Sequence, residues 1–188
     1  KKCPWDCSIC CMGACSGSDA LNDELSLECK LRLMDDLKQV NQFRDVSIDF
    51  SGGEIFTNMD NVMVVEKAAS LLGKERVGIS TSGFLVDDKL AERLSHCISE
   101  CEMTMDVAPG QHYALRPIGY AVAAAKAIPH LQRHGINVGI QTVLAHSNCN
   151  EKVLRDIYFR QMHRSIPCGA SPLHISRNIF LSAFSRCS

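Results

Sequence analysis

Strands alternating with helices predict an α/β fold built on a parallel sheet. Three observations carry that expectation. Runs with apolar residues at every second position recur at 45–50, 77–81, 101–107 and 136–144. Between them lie segments whose apolar residues stand three or four apart, the spacing of one helix face. Glycines at 52–53, 73, 83 and 135 stand where these segments end.

The elements follow in order. Residues 1–19 read as a loop rich in Cys, Gly and Ser. Asn22 is placed to cap a helix, with Asp23 and Glu24 in its first turn and Leu25, Cys29, Leu33 and Leu37 as its stripe. Val46, Ile48 and Phe50 alternate in a strand that Ser51-Gly52-Gly53-Glu54 ends sharply. Val62, Val65, Ala69 and Leu72 mark a second helix closed by Gly73. A short strand over 77–81 precedes Gly83, and Asp87 caps a third helix carrying Leu90, Leu94 and Cys97. Met103 and Met105 alternate in the strand over 101–107, and a polar loop follows through Arg116 and Pro117. Residues 120–134 read as a helix stopped by Gly135, with Pro129 expected to kink or divide it. The next strand, 136–144, has Ile136, Val138 and Ile140 on one face as core. Asn150 caps a last helix holding Val153, Ile157 and Met162; 172–175 reads as one more strand, and 178–188 follows no pattern. No strand precedes the Cys loop, so the chain is expected to begin one strand late.

A length of 188 residues suits one domain with a sizeable core. That domain divides into the loop at 1–19, βα units over about 20–176 and a poorly patterned tail at 177–188. The 46% hydrophobic and 22% charged residues match ordinary soluble globular proteins. A formal net charge of -1 gives no long-range attraction to nucleic acid or an anionic membrane. No stretch reaches the roughly 18 uninterrupted apolar residues of a membrane span. The start Lys1-Lys2-Cys3 does not read as a signal peptide. Eleven cysteines, an odd number in a chain of this length, then favour metal in a reducing cytoplasm over a disulfide framework. Cys29, Cys97 and Cys101 read as small core hydrophobes.

Cys3, Cys7 and Cys10 form C-x3-C-x2-C. Three thiolates on one short loop can hold three corners of a four-iron cluster and leave the fourth iron open. The same loop also suits zinc or incidental thiols, although Cys11 and Cys15 break the pair-plus-pair spacing of a structural zinc site. Gly52 and Gly53 let a ligand approach the backbone closely, and the carboxylate of Glu54 can pair with an ammonium group. A plain turn would use the same residues. Ser80-Thr81-Ser82-Gly83 puts hydroxyls at a strand end, suited to a ribose or a carboxylate. Thr104-Met105-Asp106 ends the following strand, with His112 and Arg116 in the loop beyond it. A guanidinium there suits a carboxylate, whereas His112 reads as a solvated loop residue. Residues 51–54 and 80–83, Asp106 and the polar loop after it all fall at C-terminal strand ends, where parallel sheets bind ligands.

Taken in order, Cys3-Pro4-Trp5-Asp6-Cys7-Ser8-Ile9-Cys10, Ser51-Gly52-Gly53-Glu54 and Asp106 to Arg116 resemble the radical SAM superfamily, and the likeness runs from Cys3 to Asn148. The resemblance implies a partial (β/α)6 TIM-type barrel of parallel strands lacking its first strand and C-terminal extension. It implies a [4Fe–4S] cluster on Cys3, Cys7 and Cys10, its open iron chelated by S-adenosyl-L-methionine. Gly52, Gly53 and Glu54 would then seat the methionyl amine, Ser82 and Asp106 the ribose, and Arg116 the carboxylate. Ile9 stands where the family usually carries an aromatic residue near the adenine. Gln141 would point toward the cavity and Asn148 toward the adenosyl group; no catalytic residue is assigned. The implied reaction is reductive cleavage to a 5′-deoxyadenosyl radical that takes hydrogen from a substrate. The Cys3–Cys10 and Ser51–Glu54 segments look most like those of peptide- and protein-modifying maturases. The implied partners are therefore a peptide or protein substrate and an electron donor such as flavodoxin or ferredoxin, not nucleic acid or a membrane. The competing reading is a non-catalytic domain whose Cys loop holds zinc or an iron–sulfur cluster for structure. A weaker one is an ordinary barrel enzyme using Gly52-Gly53 and 80–83 as phosphate loops.

Overall fold

Helix α1 (Leu27–Asn41) leads into strand β1 (Ile48–Phe50), and three helix–strand units then follow in a computed structural model that describes residues 2–17 and 24–162. These are α2 (Asp60–Leu72) with β2 (Val77–Thr81), α3 (Asp88–Ser95) with β3 (Glu100–Thr104), and α4 (Gly119–Arg133) with β4 (Asn137–Gln141); α5 (Glu151–Met162) comes last. The strands form one parallel sheet in the order β1-β2-β3-β4. Each neighbouring pair is joined through a helix, as parallel strands require.

Register stacks the side chains into layers. Ile79 pairs with Cys101, and Cys101 with Val138; Thr81 pairs with Met103, and Met103 with Ile140. Val77, Ile79, Cys101 and Met103 are buried and share one core with Val62 and Val65 of α2, Leu90 and Leu94 of α3, and Ala124, Ala127 and Leu131 of α4. The residues between them, Gly78, Ser80, Glu100 and Glu102, alternate to the opposite and more open face. The parallel order also brings Phe50, Thr81, Thr104 and Gln141 to one edge of the sheet.

Capping follows the sequence at three helices. Asp87 accepts a hydrogen bond from the Leu90 amide at 2.8 Å, Asn150 accepts one from Val153 at 3.0 Å, and Gly73 closes α2 at φ 87°. At α1 the expectation fails. Asn22 lies outside the described residues, and Ser26 is the cap, its hydroxyl accepting from the Cys29 amide at 3.3 Å. The expected stripe holds only at Leu37. Met34 is buried and Leu27, Leu31 and Leu37 pack on the core, whereas Leu25, Cys29 and Leu33 are exposed. Two positions along a helix turn a side chain by about 200°, so Cys29 faces away from the Leu27–Leu31 line. Cys97 and Cys101 are buried, as expected.

Two further corrections concern α4 and β4. Pro129 lies inside α4 without dividing it, the helix running on to Arg133. Buried Ala124, Ala127, Ile128 and Leu131 on both sides of the proline hold one continuous apolar face in the core. Ile136 and Val138 are buried, but Ile140 is 39% exposed, because β4 has a hydrogen-bonded neighbour on only one side among the described residues. The strand expected at 172–175 and the tail at 177–188 lie outside the described residues.

Gly83 ties the end of β2 to the helix layer. It has φ +78°, and a Cβ built there would lie 2.4 Å from Met103 Cε and 2.7 Å from Ala127 Cβ. Left-handed backbone disfavours a side chain, and the filled core has no room for one. Gly83→Ala is therefore expected to lower unfolding free energy by about 2–4 kcal/mol. Urea unfolding should show a lower midpoint at unchanged slope.

Candidate functional site

Four strand ends and the cysteine loop surround one cavity of about 430 Å³. Cys3, Cys7, Ile9 and Cys10 contribute from the loop, Ser51 to Glu54 from the end of β1, and Ser80, Thr81 and Ser82 from β2. Thr104 of β3, Arg116 and Tyr120 beyond it, and Gln141 to Val143 at the end of β4 complete the lining. All four segments named from sequence thus contribute, the last through Thr104 and Arg116 but not Asp106, and Gln141 joins them. Ser82 and Glu54 are buried at 5% and 3% exposure, and Ile9 is half-buried.

The loop is shaped by its own backbone. The Cys3 amide bonds the Cys15 carbonyl at 2.9 Å, closing the neck. Asp6 adopts a positive φ of 46°, and its carboxylate accepts from the Ser16 amide at 2.6 Å and from the Ser16 hydroxyl. That pairing compensates a backbone conformation unfavourable to a non-glycine residue. Cys3, Cys7 and Cys10 are unpaired and half-buried; Cys11 and Cys15 are exposed. Burial pushes the Cys3 thiol up, against a Trp5 amide that points at its sulfur. Burial also pushes Cys7 up, against the Arg116 guanidinium beside it, and the charges of Cys7 and Cys10 act on Cys3 in turn.

The donor set fits an iron–sulfur cluster. The three thiols lie close enough to interact, and all three line one cavity. In a four-iron cluster each of three thiolates bonds a different iron and the fourth iron stays open.

Glu54 is the most heavily bonded side chain of the site. Oε1 accepts from the Thr81 hydroxyl at 2.6 Å and the Phe56 amide at 3.4 Å. Oε2 accepts from the Ser82 amide at 2.9 Å and from the Ser82 hydroxyl. Four donors occupy the four lone-pair positions of a carboxylate. Its backbone N–H bonds the Lys2 carbonyl at 2.9 Å, so the segment just before Cys3 is fastened to the Gly-Gly-Glu turn. Gly52, at φ 140°, gives that turn a conformation other residues avoid.

Arg116 is the opposite charge. Its Nε donates to Asp106 Oδ2, and its Cζ lies 4.6 Å from the centroid of the Tyr120 ring. Burial alone would lower its pKa, but Asp106 and Tyr120 outweigh it and the net shift is upward. Burial pushes Tyr120 up to about 12. Asp106, only 1% exposed, lies outside the cavity lining. Its carboxylate serves Arg116 and the Val143 amide at 2.8 Å, so it holds the guanidinium and the end of β4 in place. Asn148, expected near an adenosyl group, is fully buried, and its amide bonds the Asp106 and Val143 carbonyls and the Ala145 N–H. It is an internal brace. His112 is exposed, as expected.

Sequence reasoning missed Tyr120, Thr142 and the role of Trp5, whose indole N–H donates to the Ser82 hydroxyl at 2.8 Å. Trp5 carried a signal, being the chain's only tryptophan and lying between two of the cysteines. Tyr120 carried none, since it reads as an ordinary helix residue.

A family model of the Radical SAM superfamily matches residues 1–157. Among solved structures, Streptococcus suis SuiB bound to S-adenosylmethionine is similar, at 15% identity and TM-score 0.66 over 88% of this chain and 35% of that one. Streptococcus suis SuiB bound to precursor peptide SuiA matches at 16% identity and TM-score 0.66 over the same shares. Native anSMEcpe with bound AdoMet and Cp18Cys peptide matches at 19% identity and TM-score 0.59, over 84% of this chain and 46% of that one. Such identities show a shared fold, and the chain spans less than half the length of these proteins. No curated protein matches the chain.

Removing the carboxylate of Asp106 leaves a largely buried guanidinium without its partner. Asp106→Ala is expected to cost about 3–5 kcal/mol of stability, and adding Arg116→Met to recover much of it. Denaturant titration of the two variants checks this; equal loss in both would exclude the bracing role.

Proposed function

This chain belongs to the radical SAM superfamily, a family of enzymes, and from that membership we propose that it binds a [4Fe–4S] cluster and S-adenosyl-L-methionine at the cavity described above. The single observation that carries the proposal is the convergence of three unpaired thiols, Glu54 and Arg116 on one cavity at the C-terminal edge of the sheet. Cys3, Cys7 and Cys10 are the residues that would hold the cluster. When bound, the cluster supplies the electron that cleaves S-adenosyl-L-methionine to methionine and a 5′-deoxyadenosyl radical, which takes hydrogen from a substrate.

The chain's own residues bind and orient. Glu54 and the Gly52-Gly53 backbone offer acceptors for the methionyl ammonium, and one of the four donors on Glu54 gives way to it. Arg116 keeps terminal N–H groups for the methionyl carboxylate while Asp106 holds its Nε. Opposite charges in a sheltered cavity match the two charged ends of an amino acid. Ser82 keeps one hydroxyl lone pair for a ribose hydroxyl, and Ile9 gives the adenine an apolar neighbour. Asp106, expected as a ribose contact, acts instead through Arg116.

A peptide or protein substrate is part of the proposal. The solved structures with the same fold include SuiB bound to a precursor peptide and anSMEcpe bound to a Cp18Cys peptide. Reduction of the cluster would fall to a small electron-transfer protein such as flavodoxin or ferredoxin. No helix among the described residues is long and apolar enough to cross a membrane.

Anaerobic reconstitution tests the function. About four irons and four sulfides per chain are expected, with a spectrum that shifts when S-adenosyl-L-methionine is added. Dithionite should then release 5′-deoxyadenosine, and Cys3→Ala, Cys7→Ala and Cys10→Ala should each abolish it. One zinc per chain with no response to the ligand would favour the structural reading.

A further inference from the structure

Trp5 lies between Cys3 and Cys7 in a fitted socket. Its ring meets Phe84 edge-on at 5.2 Å and Tyr120 at 5.4 Å. Below it is Gly119, where an added Cβ would come within 3.1 Å of the indole. Phe84 follows the end of β2, and Gly119 opens α4. The cysteine loop is thus seated on two separate elements through one side chain, in addition to its backbone link from Lys2 to Glu54.

The indole also sets the direction of a hydrogen-bond chain. Its N–H can only donate, so Ser82 Oγ accepts it at 2.8 Å and turns its own proton toward Glu54 Oε2. The other carboxylate oxygen is served in the same way. The Gly83 amide donates to Thr81 Oγ1 at 3.1 Å, and that hydroxyl donates to Oε1 at 2.6 Å. Each hydroxyl is made one-way by an N–H behind it. On the Thr81 side that N–H belongs to the adjoining backbone. On the Ser82 side it comes from the loop that carries the thiols.

We propose that Trp5 is a positioning residue, which through Ser82 keeps the Glu54 carboxylate in register with the three thiols. The proposal rests on the reading that Glu54 receives the ligand amine, since register between thiols and carboxylate matters only if one molecule spans both. Without the indole N–H, the Ser82 hydroxyl is free to rotate and to donate elsewhere. The loop also loses the ring that fills the space between Phe84, Gly119 and Tyr120.

The test uses the cluster-loaded full chain with S-adenosyl-L-methionine as the probe. Trp5→Phe keeps an aromatic ring and removes the donor; Ser82→Ala removes the relay. Each is expected to weaken binding about tenfold at unchanged iron and sulfide content. The double variant should be no weaker than the worse single one, because both cut the same chain. Wild-type affinity in Trp5→Phe, or two tenfold losses that multiply, would overturn the proposal. A second measurement is independent of ligand and of Trp5 replacement. Trp5 is the chain's only tryptophan, so its emission reports this socket alone. Ser82→Ala should shift that emission and Ser82→Thr should restore it; an unmoved spectrum in Ser82→Ala would count against the chain even if Trp5→Phe fails to fold. If the wild type binds no S-adenosyl-L-methionine while the emission shifts as expected, the functional reading fails and the hydrogen-bond chain stands.

Discussion

A carboxylate at 3% exposure must be surrounded by donors, and the satisfaction of Glu54 is the constraint from which the site takes its shape. Its donors come from Phe56, two residues on, and from Thr81 and Ser82, beyond an intervening helix. Its amide reaches back to Lys2, at the threshold of the cysteine loop. One buried acid therefore draws together the loop, the end of β1 and the end of β2. Parallel register supplies the rest, since Phe50 aligns with Ile79 and both strands release their chains at the same edge.

Arg116 sets the second constraint. Asp106 holds its Nε, Tyr120 lies under its plane and Cys7 lies beside it, so the cation has little freedom. Asp106 is itself fastened by the Val143 amide and, through its carbonyl, by Asn148. The cavity thus carries a buried carboxylate and a largely buried guanidinium, each oriented by its protein neighbours. Preorganisation of this kind reduces the ordering cost of binding.

The chemistry-bearing residues were legible because small motifs demand particular residue types. Cysteine spacing, a Gly-Gly-Glu turn and a Ser-Thr-Ser-Gly strand end stand out against any background, and all three line the cavity. Elements with a clear period were legible too, with β2 found over its full length. The misreadings have physical causes. On α1 an every-four pattern was taken as the buried line, but the core takes Leu27, Leu31 and Met34 and only Leu37 of that pattern. At Pro129, tertiary packing of a long apolar face outweighed a local helix breaker. At Ile140, alternation gave the right face but not its cover.

From sequence alone came the order of strands and helices, the identity of the thiols, and the prospect of a ligand at the strand ends. Those features depend on local spacing and residue chemistry, which a linear chain displays. Tertiary structure decided which polar groups line the cavity and which serve one another. Asp106 turned to Arg116 and Asn148 turned inward, while Trp5, 77 residues from Ser82, joined the site. A hydrogen bond depends on distance and angle within a fraction of an ångström, and for residues so far apart in the chain only the folded backbone sets either.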